Sequence, residues 1–199
     1  MQNWLILYFY KSNMHTTTSI RLETSMPRMN EEVRRCIGLE TDLQLACDPV
    51  ERGAVRRYAQ AIMDIDPVYM DEDAAAGTRY GAPVAPPLFP NAMLRLPFGD
   101  PDLVQARAAD PDFDGAVGSS TLGLPPLPLV NSPLLNGGTE VELFRYARHG
   151  ERIRLKSRYL DIYERETSKG WMLMVVIETD FLDEEGQLVM RFRKTQLRR

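Results

Sequence analysis

The chain has 199 residues, 44% hydrophobic and 26% charged, which is an ordinary globular composition with length for one sizeable core. A net charge of -4 offers no basic face for nucleic acid or an anionic membrane, so both partner classes are set aside. Cys36 and Cys47 are too few for a disulfide framework and lack the CxxC spacing of a zinc or thiol-redox site, so the expected compartment is the reducing cytoplasm.

The amino terminus carries a short apolar run, "NWLILYFY" (3–10), followed by a Thr/Ser-rich stretch. The run is too short to span a bilayer, and it lacks the leading positive charge and small-residue cleavage site of a signal peptide. Residues 1–30 are read as a disordered leader, or as sequence ahead of a later start at Met26 or Met29, and residues 31–199 as one domain.

The first clear element is "DPVERGAVRRYAQAIMD". Asp48 is expected as N-cap, Pro49 at the first helical position and Glu51 as the capping-box acid, with Val55, Tyr58, Ala59 and Ile62 forming the apolar stripe. A second short helix is expected around 70–76. Prolines crowd 83–90, and Leu88 to Leu96 then reads as a short buried helix with Pro90 in its first turn.

Residues 98–136 are rich in Pro, Gly, Ala and Asp, and the run "LGLPPLPLVNSPLLNGG" predicts a long ordered loop with neither helix nor strand. A loop packed on its own domain is preferred there over a proline-rich ligand for a partner domain. The last third alternates in strand fashion through "TEVELFRYAR", "ERIRLKSRYLDIYERET", "WMLMVVIETDFLD" and "QLVMRFRKTQLRR". The separators "HG", "SKG" and "DEEG" predict hairpins and an antiparallel meander. Helices followed by such a sheet give an α+β pattern.

The chemistry-bearing stretch is "MDIDPVYMDEDAAA" (63–76). A calcium loop drawing on Asp64, Asp66, Asp71, Glu72 and Asp73 fails, because Tyr69 stands where the glycine belongs and Ala75 where the terminal glutamate belongs. A phosphatase reading of Asp64-Ile65-Asp66-Pro67-Val68 fails on context, since that nucleophile would end a buried parallel strand. No metal or cofactor is called for.

"YAQAIMDIDPVYMDEDAAAGTRYGAPVAPPLF" (58–89) resembles the signature region of MaoC-like acyl dehydratases, roughly F-A-x-x-[ST]-G-D-x-N-P-[LIV]-H with a later "APP" approach to the central helix. Residues 135–199 resemble the amino-terminal halves of such proteins. The resemblance implies a hot-dog fold, an antiparallel sheet wrapped around a helix near 87–96, and reversible hydration of trans-2-enoyl thioesters carried on CoA or acyl-carrier protein. It places Asp64, Asp66 and Tyr69 in the catalytic segment, and Pro86, Pro87, Phe89 and Asn91 against the substrate.

The departures from that pattern are informative. Asp64 keeps the aspartate position, but Met63 replaces the glycine, Asp66 the asparagine and Tyr69 the histidine that serves as general base. The only histidines are His15, in the leader, and His149, read as a solvated turn residue. An unperturbed phenol, with a pKa near 10, is a poor base at neutral pH.

The frame therefore resembles the non-catalytic half of a dehydratase that pairs with a catalytically complete hot-dog subunit. A stand-alone homodimer using Asp64, and a non-enzymatic acyl-thioester binder, are the alternatives. Arg79, Arg191, Arg193, Lys194, Arg198 and Arg199 are the cations available to CoA phosphates.

Overall fold

The computed structural model describes residues 29–93, 99–111, 123–129, 132–168 and 170–198. The leader up to residue 28, the expected helical residues Leu94 to Leu96, and Arg199 lie outside the described residues.

The described chain begins with helix α1 (Glu31–Arg34), whose Asn30 side chain caps the Val33 N–H at 2.8 Å. Val33 is fully buried among Tyr159, Ile162 and Leu173, and Met29 N–H donates to Glu164. A two-residue strand β1 (Gln44–Leu45) follows.

Helix α2 (Arg52–Ala61) starts later than its sequence predicts, with Glu51 as an N-cap that makes no side-chain bond. Asp48 does not cap it and Pro49 is not its first residue. Val50 explains the shift: its N–H donates to the Glu151 carbonyl (2.8 Å) and its carbonyl accepts from Gly150 N–H (2.9 Å), so tertiary pairing keeps the segment extended. Val55 and Ala59 are buried as expected, whereas Ile62 at the helix end is 47% exposed.

Residues Pro67–Tyr69 form a single 3-10 turn capped by the Asp66 side chain, and α3 (Glu72–Ala76) follows with Asp71 as its cap. Helix α4 (Phe89–Ala92) carries Pro90 in its first turn, as predicted, but begins after Leu88 rather than at it. Within the loop predicted for 98–136 there is one more turn of helix, α5 (Leu103–Ala106).

The main sheet consists of β2 (Leu134–Leu143), β3 (Arg154–Thr167), β4 (Gly170–Leu182) and β5 (Leu188–Arg198), with β1 added at one edge. The order is β1-β3-β4-β5-β2, antiparallel at every junction. Two expectations change. The strand β2 begins inside the proline-rich run that was read as loop, and "HG" does not close a hairpin, because β2 pairs with β5 rather than β3.

The reason is the path of residues 145–151. Ala147 accepts from Ala85 N–H at 2.8 Å and Arg148 bridges Val84, so the chain leaves the sheet after β2 to hold the signature segment before re-entering at β3.

Burial alternates along β4 in the period of a strand with one covered face. Leu173, Val175, Ile177, Thr179 and Phe181 are buried, and register puts Met190 and Phe192 of β5 on that face with Leu155 and Tyr159 of β3. Val55, Val68, Tyr69 and Phe89 pack against part of this surface, each buried side chain contributing roughly 2 kcal/mol. No described helix is long and apolar enough to cross a membrane.

Candidate functional site

The site is built where α2 ends. Asp64 N–H donates to the Ala59 carbonyl and Met63 N–H to that of Gln60, the paired bonds of a Schellman cap, and this forces Met63 to φ +57°. A glycine adopts that backbone at no steric cost, which accounts for the glycine in the family pattern. Here the methionine stands with 85% of its surface exposed, beside Ile65 at 91%.

The turn delivers Asp64 to face Tyr69 five residues on. The Tyr69 hydroxyl donates to Asp64 Oδ2 at 2.8 Å, and Asp64 Oδ1 accepts from Asp66 N–H at 3.3 Å. Asp66 directs its own Oδ1 to Val68 N–H at 3.0 Å, acting as the cap of the 3-10 turn. Tyr69 is 5% exposed, and burial, reinforced by the Asp64 carboxylate, pushes its phenol far above the usual tyrosine range. The phenol is therefore locked as a donor.

Asp64, Asp66 and Tyr69 thus converge, lining a cavity of about 460 Å³ with Ala59, Ile65 and Met70. Pro86, Pro87, Phe89 and Asn91 do not line it among the described residues. Phe89 instead faces a second cavity of about 390 Å³ with Tyr58, Arg57 and Met93, and its ring meets Tyr58 edge-on at 5.5 Å. Pro86 is buried, while Pro87 and Asn91 are half-buried.

Three groups near the signature carried no readable motif. His149 is not a solvated turn residue: its Nε2 is buried with no hydrogen-bond partner among the described residues, and the ring lies beside the backbone of Val84 and Tyr69. Desolvation, then the Arg52 guanidinium, lower its pKa below the ordinary 6.5. Arg52 also holds the turn, donating to the Met70 carbonyl at 2.8 Å.

Tyr80 and Tyr146 pack with ring centroids 4.9 Å apart, and Tyr146 feels the Asp66 charge. The proline-rich approach and the strap after β2 bring these rings to the signature, a long-range pairing that no local pattern encodes.

The cations divide sharply. Arg191 binds Asp180 through two bonds (2.6 and 2.9 Å), and Arg193 reaches Glu178 (2.6 Å) and Glu142 (2.7 Å). Arg198 donates to the Ser132 carbonyl, and Lys194 lies on β5 opposite Ile177. Arg79 is exposed and rests over the Tyr80 ring at 5.0 Å. No described group of three or more His, Cys, Asp or Glu side chains is arranged to hold a metal ion.

Comparison with known proteins agrees with this architecture. The family described as FAS1-like, dehydratase domain region matches residues 35–192. No curated protein matches the chain in sequence.

Among solved structures, the ChsH1-ChsH2 complex from Mycobacterium tuberculosis is similar at TM-score 0.63 and 17% identity, covering 84% of this chain and 88% of that one. The HadBC (3R-hydroxyacyl-ACP dehydratase) complex from the same organism is similar at TM-score 0.54 and 19% identity, covering 81% and 96%. A MaoC-like dehydratase from Rhodospirillum rubrum is similar at TM-score 0.50 and 20% identity, covering 81% and 90%.

At these identities the structures establish the hot-dog fold, and the family match establishes membership. The chain belongs to the FAS1-like, dehydratase domain region family of MaoC-like hot-dog dehydratases and hydratases.

Proposed function

We propose that the chain is the non-catalytic subunit of an enoyl-thioester hydratase or 3-hydroxyacyl-thioester dehydratase, paired in the cytoplasm with a hot-dog partner that retains its histidine. Hydration joins a water oxygen to C3 of the enoyl group, delivers a proton to C2, and needs a base to take a proton from the water. The observation that carries the reading is the Tyr69 hydroxyl donating to Asp64. A buried phenol whose pKa is held far above its usual value keeps its proton, so it removes none from water.

Asp66 is tied to the backbone, its Oδ1 accepting the Val68 N–H as the cap of the turn. The remaining features suit a scaffold role. The signature loop keeps its cap, its cavity and its apolar Met63 and Ile65 exposed beside Asp64, which fits a surface that shapes an acyl channel next to a working site. Two of the similar solved structures are complexes whose names join two subunits, ChsH1-ChsH2 and HadBC, and this supports the pairing.

The test is to isolate the tagged full chain with its native partner and assay hydration of an enoyl-CoA by the complex. Substituting Asp64→Asn in this chain should leave the complex's rate within about twofold, while replacing the partner's histidine should abolish it. Loss of turnover on Asp64→Asn, with the complex intact, would transfer the chemistry to this chain and defeat the proposal.

A further inference from the structure

One cavity next to the signature differs in charge from the rest of the surface. It measures about 320 Å³ and is lined by Arg79, Arg145 and Arg148 with Tyr80, Phe144, Tyr146 and Val84; no aspartate or glutamate lines it. In a chain whose net charge is -4, two of these guanidiniums, Arg79 and Arg148, have no carboxylate partner among the described residues and leave the concavity locally positive.

The three are not equivalent. Arg145 is held by Glu151 and by Asp183 (2.8 Å), which fixes it in the wall. Arg79 and Arg148 form no ion pair with any described carboxylate. The Arg79 Nη2 donates to the Tyr80 hydroxyl at 3.1 Å and its guanidinium lies over the Tyr80 ring, so the side chain is positioned while its other donors bond no described residue. Arg148 is fixed at its backbone by the bridge to Val84 and by its N–H to Glu151, leaving its head exposed.

The aromatic wall suits a flat group. Phe144 is 51% exposed at the rim, and the Tyr80 and Tyr146 rings are tilted 57° to each other. Val84 in its lining donates its N–H to the Val68 carbonyl at 3.3 Å, so the cavity adjoins the Asp64–Tyr69 turn. By contrast Arg191 and Arg193 on the far face of the sheet are engaged with Glu178, Asp180 and Glu142.

We propose that the cavity of Arg79, Tyr80, Phe144, Tyr146 and Arg148 binds the nucleotide end of a CoA thioester, the arginines taking its phosphate and the rings its adenine. The proposal rests on the thioester-subunit reading above, and it chooses CoA over a carrier protein, whose phosphopantetheine bears a phosphate but no flat ring. Arginine forks match phosphate oxygens in a bidentate manner, and exposed aromatic faces accept a base by stacking.

Calorimetric titration of the full chain with adenosine 3′,5′-bisphosphate, with inorganic phosphate and with 4′-phosphopantetheine tests it. The bisphosphate should bind most tightly, and Arg79→Gln and Arg148→Gln should each weaken it about tenfold, the loss expected for one charged hydrogen-bonding partner. Phe144→Leu, which removes the exposed ring at the rim and leaves the Arg79–Tyr80 contact in place, should weaken the bisphosphate but not phosphate. Both arginines are exposed, so circular dichroism should find the variants folded.

Equal binding of the bisphosphate by wild type and both arginine variants would overturn the assignment. So would binding of phosphopantetheine without the bisphosphate, which would point to a carrier protein, and so would no binding of any of the three. None of these results bears on whether Asp64 is dispensable in the paired complex, so failure here and failure of the subunit reading are separable.

Discussion

The hydroxyl of Tyr69 donates to Asp64 Oδ2 across 2.8 Å, closing the place where the family pattern puts a histidine against an aspartate. At this position the chain presents Asp64 with a hydrogen-bond donor.

Removing that donor has a measurable consequence. Tyr69→Phe keeps the buried ring and deletes one hydrogen bond to a carboxylate that is only half-buried and can recruit water, so the expected loss is about 1 kcal/mol in urea unfolding. A loss near zero would mean the bond does not contribute to the fold. Because the phenol is locked as a donor, the same substitution should leave the activity of the paired complex unchanged.

Met63 offers the opposite sign. At φ +57° a side chain with a Cβ is disfavoured by roughly 1–2 kcal/mol, and the methionine is 85% exposed, with little packing to lose. Met63→Gly should raise stability by about 1 kcal/mol, part of the relief being offset by the flexibility glycine adds to the unfolded chain. Met63→Ala, which keeps the Cβ, should change little. If the glycine variant is no more stable, the left-handed backbone at Met63 carries no net strain beyond what glycine's flexibility offsets.

How much of this was legible in sequence depends on whether the signal is local. The short helix around 70–76, Pro90 in the first turn of α4 and the three long strands β3, β4 and β5 follow from short-range patterns, and each is found. The start of α2 departs from its local pattern because Val50 is held by Gly150 and Glu151, about a hundred residues away, and this pairing overrides the capping motif at Asp48.

The hairpin expected at "HG" failed for the same kind of reason, since Ala147 and Arg148 pair with Ala85 and Val84. Asp64, Asp66 and Tyr69 lie within one turn of chain and could be grouped from sequence. Tyr80, Tyr146 and His149 reach them only through that strap, so nothing local announced them.

Glu178 tests the sheet. It is 3% exposed on the face away from the helices, and register sets it between Arg158 on β3 and Arg193 on β5, which bond its two oxygens. Glu178→Gln should cost about 2 kcal/mol, less than a fully buried pair because the arginines are 28–45% exposed and can rehydrate. Arg158→Gln should cost only about 1 kcal/mol, since Arg193 still faces the carboxylate. Equal losses for both would show that the arginines, not the buried acid, dominate the network.

His149 makes stability depend on pH. Its folded pKa lies below the ordinary 6.5 because burial and then Arg52 disfavour the imidazolium. The unfolded chain therefore takes up the proton first, so this contribution is fully present above pH 6.5 and is lost as pH falls through the folded value. Unfolding free energy should decline from pH 7 to pH 5, and His149→Gln should flatten that slope. An unchanged slope would assign it to the carboxylates, of which Asp183 is held low by Arg145 and by the Gln187 backbone N–H despite its burial.

The most direct measurement is hydration of crotonyl-CoA and of one longer enoyl-CoA by the purified chain alone, followed by the loss of ultraviolet absorbance, with Asp64→Asn alongside. The account predicts no turnover above the buffer rate from either protein. Turnover by the wild-type chain that disappears in Asp64→Asn would contradict it, and would make the tyrosine-bearing site a working variant of the dehydratase pair.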